Sequence, residues 1–75
     1  MTPRLPTLLP KDVLAALQRA GFEVDRQNGS HVILRHPITN KRTVVAIHAS
    51  DLPRPVLKKI LKQAGLTEDE FQKLL

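Results

Sequence analysis

The sequence predicts an α+β fold in the order α-β-β-β-α, with the helices on one face of a three-stranded antiparallel sheet and a short C-terminal helix behind them. Two observations support it. Apolar residues recur at helical spacing in residues 10–20 and 53–64, and short segments of alternating polarity lie between them. With 75 residues and no cysteine, the chain should form a single domain over residues 10–75, without disulfides or thiolate metal sites.

The helices have recognisable start and stop signals. Pro10 suits the first turn of a helix, and Gly21 predicts its end. Residues 1–9 hold two prolines and no periodicity, which predicts a flexible arm. The second helix should run from Pro53 to Ala64, and a capping box at Thr67–Glu70 predicts the last one. The apolar residues that should face the core are Val13, Leu14, Leu17, Ala20, Val56, Leu57, Ile60, Leu61, Ala64, Phe71, Leu74 and Leu75.

The segments FEVDR, HVILRH and RTVVAIH predict the three strands. A three-residue loop, Gln27-Asn28-Gly29, should join the first two, because its last position favours the left-handed conformation that glycine adopts. That loop pairs Val24 with Val32 and places Asp25 opposite His31. The alternative, a two-residue Asn28-Gly29 turn, would put the apolar residues of the two strands on opposite faces.

Alternation then assigns the strand side chains to two faces of the sheet. The residues expected to face the helices are Phe22, Val24, Val32, Leu34, Thr43, Val45 and Ile47. The residues expected on the open face are Asp25, His31, Ile33, Arg35, Val44, Ala46 and His48. Because His36 has the opposite parity to His31, a metal site built from the three histidines is not expected.

The charge of the chain indicates its class of partner. The net charge is +5, and eleven of the twelve Lys and Arg residues but only four of the seven acidic residues lie within residues 1–66. Such a basic surface suits a polyanion or an acidic protein, although it can also serve solubility alone. With only two aromatic residues, recognition of bases by stacking is not expected. The candidate phosphate-binding residues are Arg26, Lys41, Arg42, Lys58, Lys59 and Lys62.

The run Gly29-Ser30-His31 raises the question of catalysis. Histidine titrates near neutral pH and is well suited to move protons. With support from Asp25, Arg35 and His48, His31 could deprotonate a ribose 2′-hydroxyl for attack on the adjacent phosphate, without a metal. An exposed histidine at a strand start is more often an ordinary surface residue, so spacing alone leaves both interpretations open.

The segments AGFEVDRQNGSHVILRHP, VAIH and LKKILKQAGLTEDEFQKLL together resemble the HicA family of toxin mRNA interferases, over roughly residues 11–75. The resemblance implies a double-stranded-RNA-binding-domain-like fold and an endoribonuclease that cleaves mRNA with His31 and without a metal or other cofactor. It also implies a HicB-type antitoxin that covers the active face. Ala46 and the run Arg54-Pro55-Val56 depart from residues common in the family, which leaves the loop geometry open.

The other expectations concern location and alternatives. No apolar run approaches the roughly 18 residues of a membrane span, and the opening MTPRLPTLLP lacks a signal-peptide pattern, so we expect a cytoplasmic protein without membrane contact. A non-catalytic RNA-binding module is the alternative function. A protein whose open sheet face binds an acidic partner is a third.

Overall fold

The computed structural model describes residues 8–47 and 52–75 and confirms the predicted α+β architecture and element order. The elements are α1 (Pro10–Arg19), β1 (Glu23–Asn28), β2 (His31–Arg35), β3 (Arg42–Ala46), α2 (Arg54–Ala64) and α3 (Glu68–Leu74). The strands form an antiparallel sheet in the order β1-β2-β3, so β2 is central. His48 and most of the expected N-terminal arm lie outside the described residues.

Leu8 joins the start of the chain to the segment before α2. Leu8 and Leu52 form an isolated antiparallel bridge, in which the Leu52 N–H donates to the Leu8 carbonyl oxygen at 2.8 Å. Leu52 is buried, and Leu8 packs against the core. This bridge therefore fixes the position of the chain just before α1 begins.

The core lies between the helices and the β2–β3 side of the sheet. α1 and α2 both pack on β3, and each also contacts α3. Most of the buried apolar residues were expected there: Val13, Leu17, Phe22, Val32, Leu34, Val45, Leu57, Ile60, Leu61, Ala64 and Phe71. The described core also contains Ala16 and Leu52, and it includes the polar residue Thr43.

Four apolar residues expected to face inward are instead exposed: Val24, Ile47, Val56 and Leu75. Val24 has the parity of the helix-facing side, yet it is 48% exposed because the helices cover β3 rather than the edge strand β1. Ile47 and Leu75 lie just beyond the ends of β3 and α3, where the regular alternation of side chains has stopped. Val56, in the first turn of α2, borders a groove rather than the core.

The helix ends follow the sequence signals. Gly65 ends α2 in the left-handed conformation, with φ of 74°. Thr67 Oγ1 accepts from the Glu70 N–H at 3.1 Å, and the Glu70 carboxylate accepts from the Thr67 N–H at 3.0 Å, which completes the predicted capping box. The hydrogen bonds from the Thr67 backbone and side chain lower the pKa of Glu70.

The first hairpin differs from the predicted one. Asn28 pairs with His31, so the loop has two residues, Gly29 and Ser30, rather than the three from Gln27 to Gly29. Gly29 has φ of 63°, whereas Ser30 does not have a positive φ. A positive φ at the first loop position alone is the type II′ pattern, which matches the twist of the flanking strands.

A β-bulge in β1 then changes which of its side chains face the helices. With the observed turn, a regular ladder would set Asp25 opposite Leu34 on the helix-facing side. The pairing instead shifts between Val24 and Arg26, so Asp25 is the extra residue and Val24 pairs with Leu34. The predicted pairing of Asp25 with His31 is therefore wrong, because the turn and the bulge together set a different register.

Candidate active face

The open face of the sheet carries His31 at one end of the central strand. His31 is exposed, while Val32 and Leu34, the alternate residues of β2, are buried against the helices. The neighbours of His31 across the sheet are Asn28 on β1 and Ala46 on β3. This confirms that His31 belongs to the open face and replaces the expected neighbour Asp25 with Asn28.

The backbone around His31 is held from both sides. Its strand is paired with β1 and β3, and the Ile47 N–H donates to the Ser30 carbonyl oxygen at 2.7 Å. This bond extends the β2–β3 pairing to the residue just before His31. The imidazole is thus presented from a fixed backbone rather than from a loop tip, which favours precise placement of a reacting group.

The rest of the open face consists of an apolar centre, three guanidinium groups and the carboxylate of Glu23. Two further rows of cross-strand partners follow that of His31: Arg26, Ile33 and Val44, then Glu23, Arg35 and Arg42. Arg35 and Arg42 are direct partners, a placement of like charges that destabilises a sheet, and Glu23, the partner of Arg35 on β1, supplies one carboxylate in the same row. The face therefore combines an imidazole with sites that attract anions.

The groups expected to support His31 are not all beside it. Arg35 lies four residues further along β2, about 13 Å away in an extended strand. Its Nη1 donates to Oδ1 of Asn40 at 3.2 Å. Asp25 sits at the bulge, and His48 is outside the described residues. Among the expected supporting groups, Arg35 shares the open face with His31 but at its opposite end.

The three lysines of α2 point in different directions, although all are exposed. Lys58 and Lys62 line a cavity near the start of α3 that also contains Glu68. Lys59 lines the groove between α2 and Val44 of β3. Of these three cations, Lys59 is the one that borders the open face.

The Lys41 side chain lies at the C-terminal end of α2. It lies over Gly65 so closely that a β-carbon on residue 65 would collide with Nζ. The last carbonyl groups of a helix attract a cation. Lys41 thus lies against the end of α2, whereas its neighbour Arg42 lies on the open face.

His36 occupies the other face of the sheet, as its parity predicted. Its ring lies against Phe22, and its Nδ1 accepts from the N–H groups of Ile38 and Thr39 at 3.2 and 3.3 Å. Its Nε2 also lies only 2.7 Å from the position that a β-carbon on residue 21 would take. His31 and His36 cannot share a metal ion, and no group of three metal-binding side chains occurs among residues 8–47 and 52–75.

Sequence reasoning missed two features near His31. One is Asn28, its direct partner, which depends on a register that alternation does not determine. The other is the groove beside Val44, lined on α2 by Val56, Lys59, Ile60 and Gln63. Their helical spacing was a usable signal, since Val56, Lys59 and Gln63 share one side of α2.

Two further findings concern the chain as a whole. Of the helices that the structure describes, none has the length and apolar character needed to cross a bilayer. The family model described as "HicA toxin of bacterial toxin-antitoxin" matches residues 10–66, about three quarters of the 75-residue chain. A search of curated proteins finds no match.

Proposed function

The chain belongs to the HicA toxin family of bacterial toxin–antitoxin systems, and we propose that it is a metal-independent endoribonuclease that cleaves mRNA with His31 as its catalytic residue. The observation that supports this most directly is the exposed imidazole on a rigid central strand, on the same face as three arginines. The cytoplasm, where mRNA is translated, would be its site of action during stress.

In this mechanism His31 takes the proton of a ribose 2′-hydroxyl. The 2′-oxygen attacks the adjacent phosphorus, and the bond to the 5′-oxygen of the next nucleotide breaks. That oxygen leaves with a proton, which His31 or a second group such as His48 supplies. The products are a 2′,3′-cyclic phosphate and a free 5′-hydroxyl, so the step consumes no water.

The arginines of the open face have the complementary task. Arg26, Arg35 and Arg42 bind phosphates along the strand, and Lys59 extends this surface at the β3 edge. The row of Glu23, Arg35 and Arg42 holds two guanidinium groups against one carboxylate, so it keeps a positive charge that a phosphate can bind. RNA then lies across the sheet, with the scissile phosphate at the His31 end.

The antitoxin is the second proposed partner. A HicB-type protein would neutralise the toxin by covering the open face, where Ile33 and Val44 form an apolar centre surrounded by cationic groups. An acidic, partly apolar partner surface fits this pattern. Coverage of His31 would exclude RNA without any change in the toxin fold.

The test is cleavage of a defined single-stranded RNA by the purified protein in the presence of a chelator. We expect fragments that end in a 2′,3′-cyclic phosphate, and no cleavage where a 2′-deoxy nucleotide replaces the attacking one. His31→Ala should remove cleavage by at least about a hundredfold, the usual contribution of a general base. The same RNA bound but left intact by the wild type would favour the alternative, a non-catalytic RNA-binding module.

A further inference from the structure

A groove between β3 and α2 adjoins the proposed active face. It is lined by Val44, Val56, Lys59, Ile60 and Gln63 and has a volume of about 360 Å³, within the usual size of ligand sites. Val44 and Val56 are each 43% exposed, so their apolar surface is not covered by the core. The open face and α2 are continuous at this edge of the sheet.

The polar groups of the groove suit a nucleotide. Thr43 donates its hydroxyl to Oε1 of Gln63 at 3.0 Å, which orients the carboxamide and leaves its NH2 group as a donor. Lys59 supplies an ammonium group, and no acidic residue lines the groove. An unpaired base can lie between the apolar side chains, accept from Gln63 and place its phosphate near Lys59.

The groove is also close to His31. Val44 is the direct partner of Ile33, two residues along the ladder from the pair of His31 and Ala46 and on the same face of the sheet. Diagonal neighbours in a sheet have Cα atoms about 7–8 Å apart. A nucleotide adjoining the bond cleaved at His31 can therefore reach the groove around Val44.

The cavity on the other side of α2 provides a contrast. Lys58 and Lys62 line it together with Glu68, whose carboxylate repels a phosphate. It is also separated from the open face by the helix itself. The two linings carry the same net charge of +1, so the position of the Lys59 groove beside the open face, together with its lack of a carboxylate, is what favours RNA there.

We propose that the β3–α2 groove is a subsite for one nucleotide next to the scissile phosphate and that it gives cleavage a base preference. This inference rests on the proposed ribonuclease function. Lys59 binds the phosphate, Gln63 selects among bases by hydrogen bonding, and Val44 and Val56 enclose the base. These residues determine where the RNA is cut and do not take part in the proton transfer.

The first test fills the groove. Val56→Phe places a larger side chain in it, while Val24→Phe makes the same change at the opposite edge of the sheet, where the side chain is similarly exposed. Cleavage of a randomised RNA pool should show a base preference at one position beside the cut. Val56→Phe should weaken that preference about tenfold, and Val24→Phe should leave it intact. An unchanged preference in Val56→Phe would overturn the subsite.

The second test measures binding without cleavage. In a His31→Ala background, Lys59→Ala should lower the slope of log K against log salt by about 0.7 for single-stranded RNA, because one phosphate contact is lost. Lys11→Ala, an exposed lysine of α1, is the control. Equal slopes for Lys59→Ala and Lys11→Ala would reject the subsite even if the wild type cleaves RNA. If Lys59→Ala alone lowers the slope and the wild type does not cleave RNA, the subsite is retained and the catalytic function is rejected.

Discussion

His36 packs edge-on against Phe22, with ring centroids 5.1 Å apart and planes at 85°. This contact lies on the helix-facing side of the sheet, where Phe22 is buried. His31 lies five residues earlier on the opposite face, with an exposed ring. The two histidines of the second-strand segment thus have different environments and should respond differently to substitution.

We expect His36→Ala to destabilise the protein without removing cleavage. Loss of the edge-to-face contact should cost about 0.5–1.5 kcal/mol beyond the loss of buried area. His31→Ala should show the reverse pattern, with stability near that of the wild type and no cleavage. Urea unfolding and RNA cleavage, measured on both variants below their unfolding midpoints, check the pair. Loss of cleavage in a folded His36→Ala protein would contradict the assignment of faces.

Deletion of Asp25 should be tolerated. Because Asp25 is the extra residue of the bulge, its removal makes the pairs Val24–Leu34 and Arg26–Ile33 consecutive in a regular ladder. We expect unfolding free energy to change by less than about 1 kcal/mol and cleavage to continue. Deletion of Gln27 is the control, since it moves Arg26 opposite Val32. A deletion of Asp25 that unfolds the protein would show that the bulge itself is required.

The arginines of the open face should carry most of the salt dependence of RNA binding. Replacement of Arg26, Arg35 and Arg42 by alanine should lower the slope of log K against log salt by about 2, at roughly 0.7 for each phosphate contact. A variant with Lys11, Lys58 and Lys62 replaced loses the same charge from the helices. Similar slopes in the two variants would mean that RNA is attracted by net charge and not by this face.

The capping box of α3 should contribute to stability in a pH-dependent way. Thr67→Ala removes the N-cap hydrogen bond and should cost about 1 kcal/mol. Because the pKa of Glu70 is lowered in the folded protein from its ordinary 4.5, ionised Glu70 adds stability above that value. This contribution should disappear as the pH falls through the lowered pKa.

The measurement is urea unfolding of the wild type and Glu70→Gln across the acidic range. Their difference should be largest near neutral pH and shrink as the pH falls below the lowered pKa of Glu70. Asp69→Asn, also in the first turn of α3 but outside the capping box, is the matched control. A difference that does not vary with pH would show that the charge of Glu70 has no part in the cap.

The sequence by itself determined the elements and the sides of most residues. Pro10, Gly65 and the Thr67–Glu70 box act through local backbone geometry, which neighbouring residues alone can specify. In β2 the choice of buried residues was also local, because Val32 and Leu34 are apolar while the alternate set includes His31. The open face and its histidine therefore followed from alternation.

Only the tertiary structure decided which residues meet across the sheet and which apolar surface stays uncovered. Register depends on the combined geometry of the turn at Gly29 and the bulge at Asp25, and several combinations satisfy the same alternation. Burial of Val24 and Val56 depends on where the helices pack, and they pack on β3. Strand register and burial both depend on contacts between residues that are distant in the sequence. The neighbour of His31 and the groove beside Val44 therefore form only when the whole chain is folded.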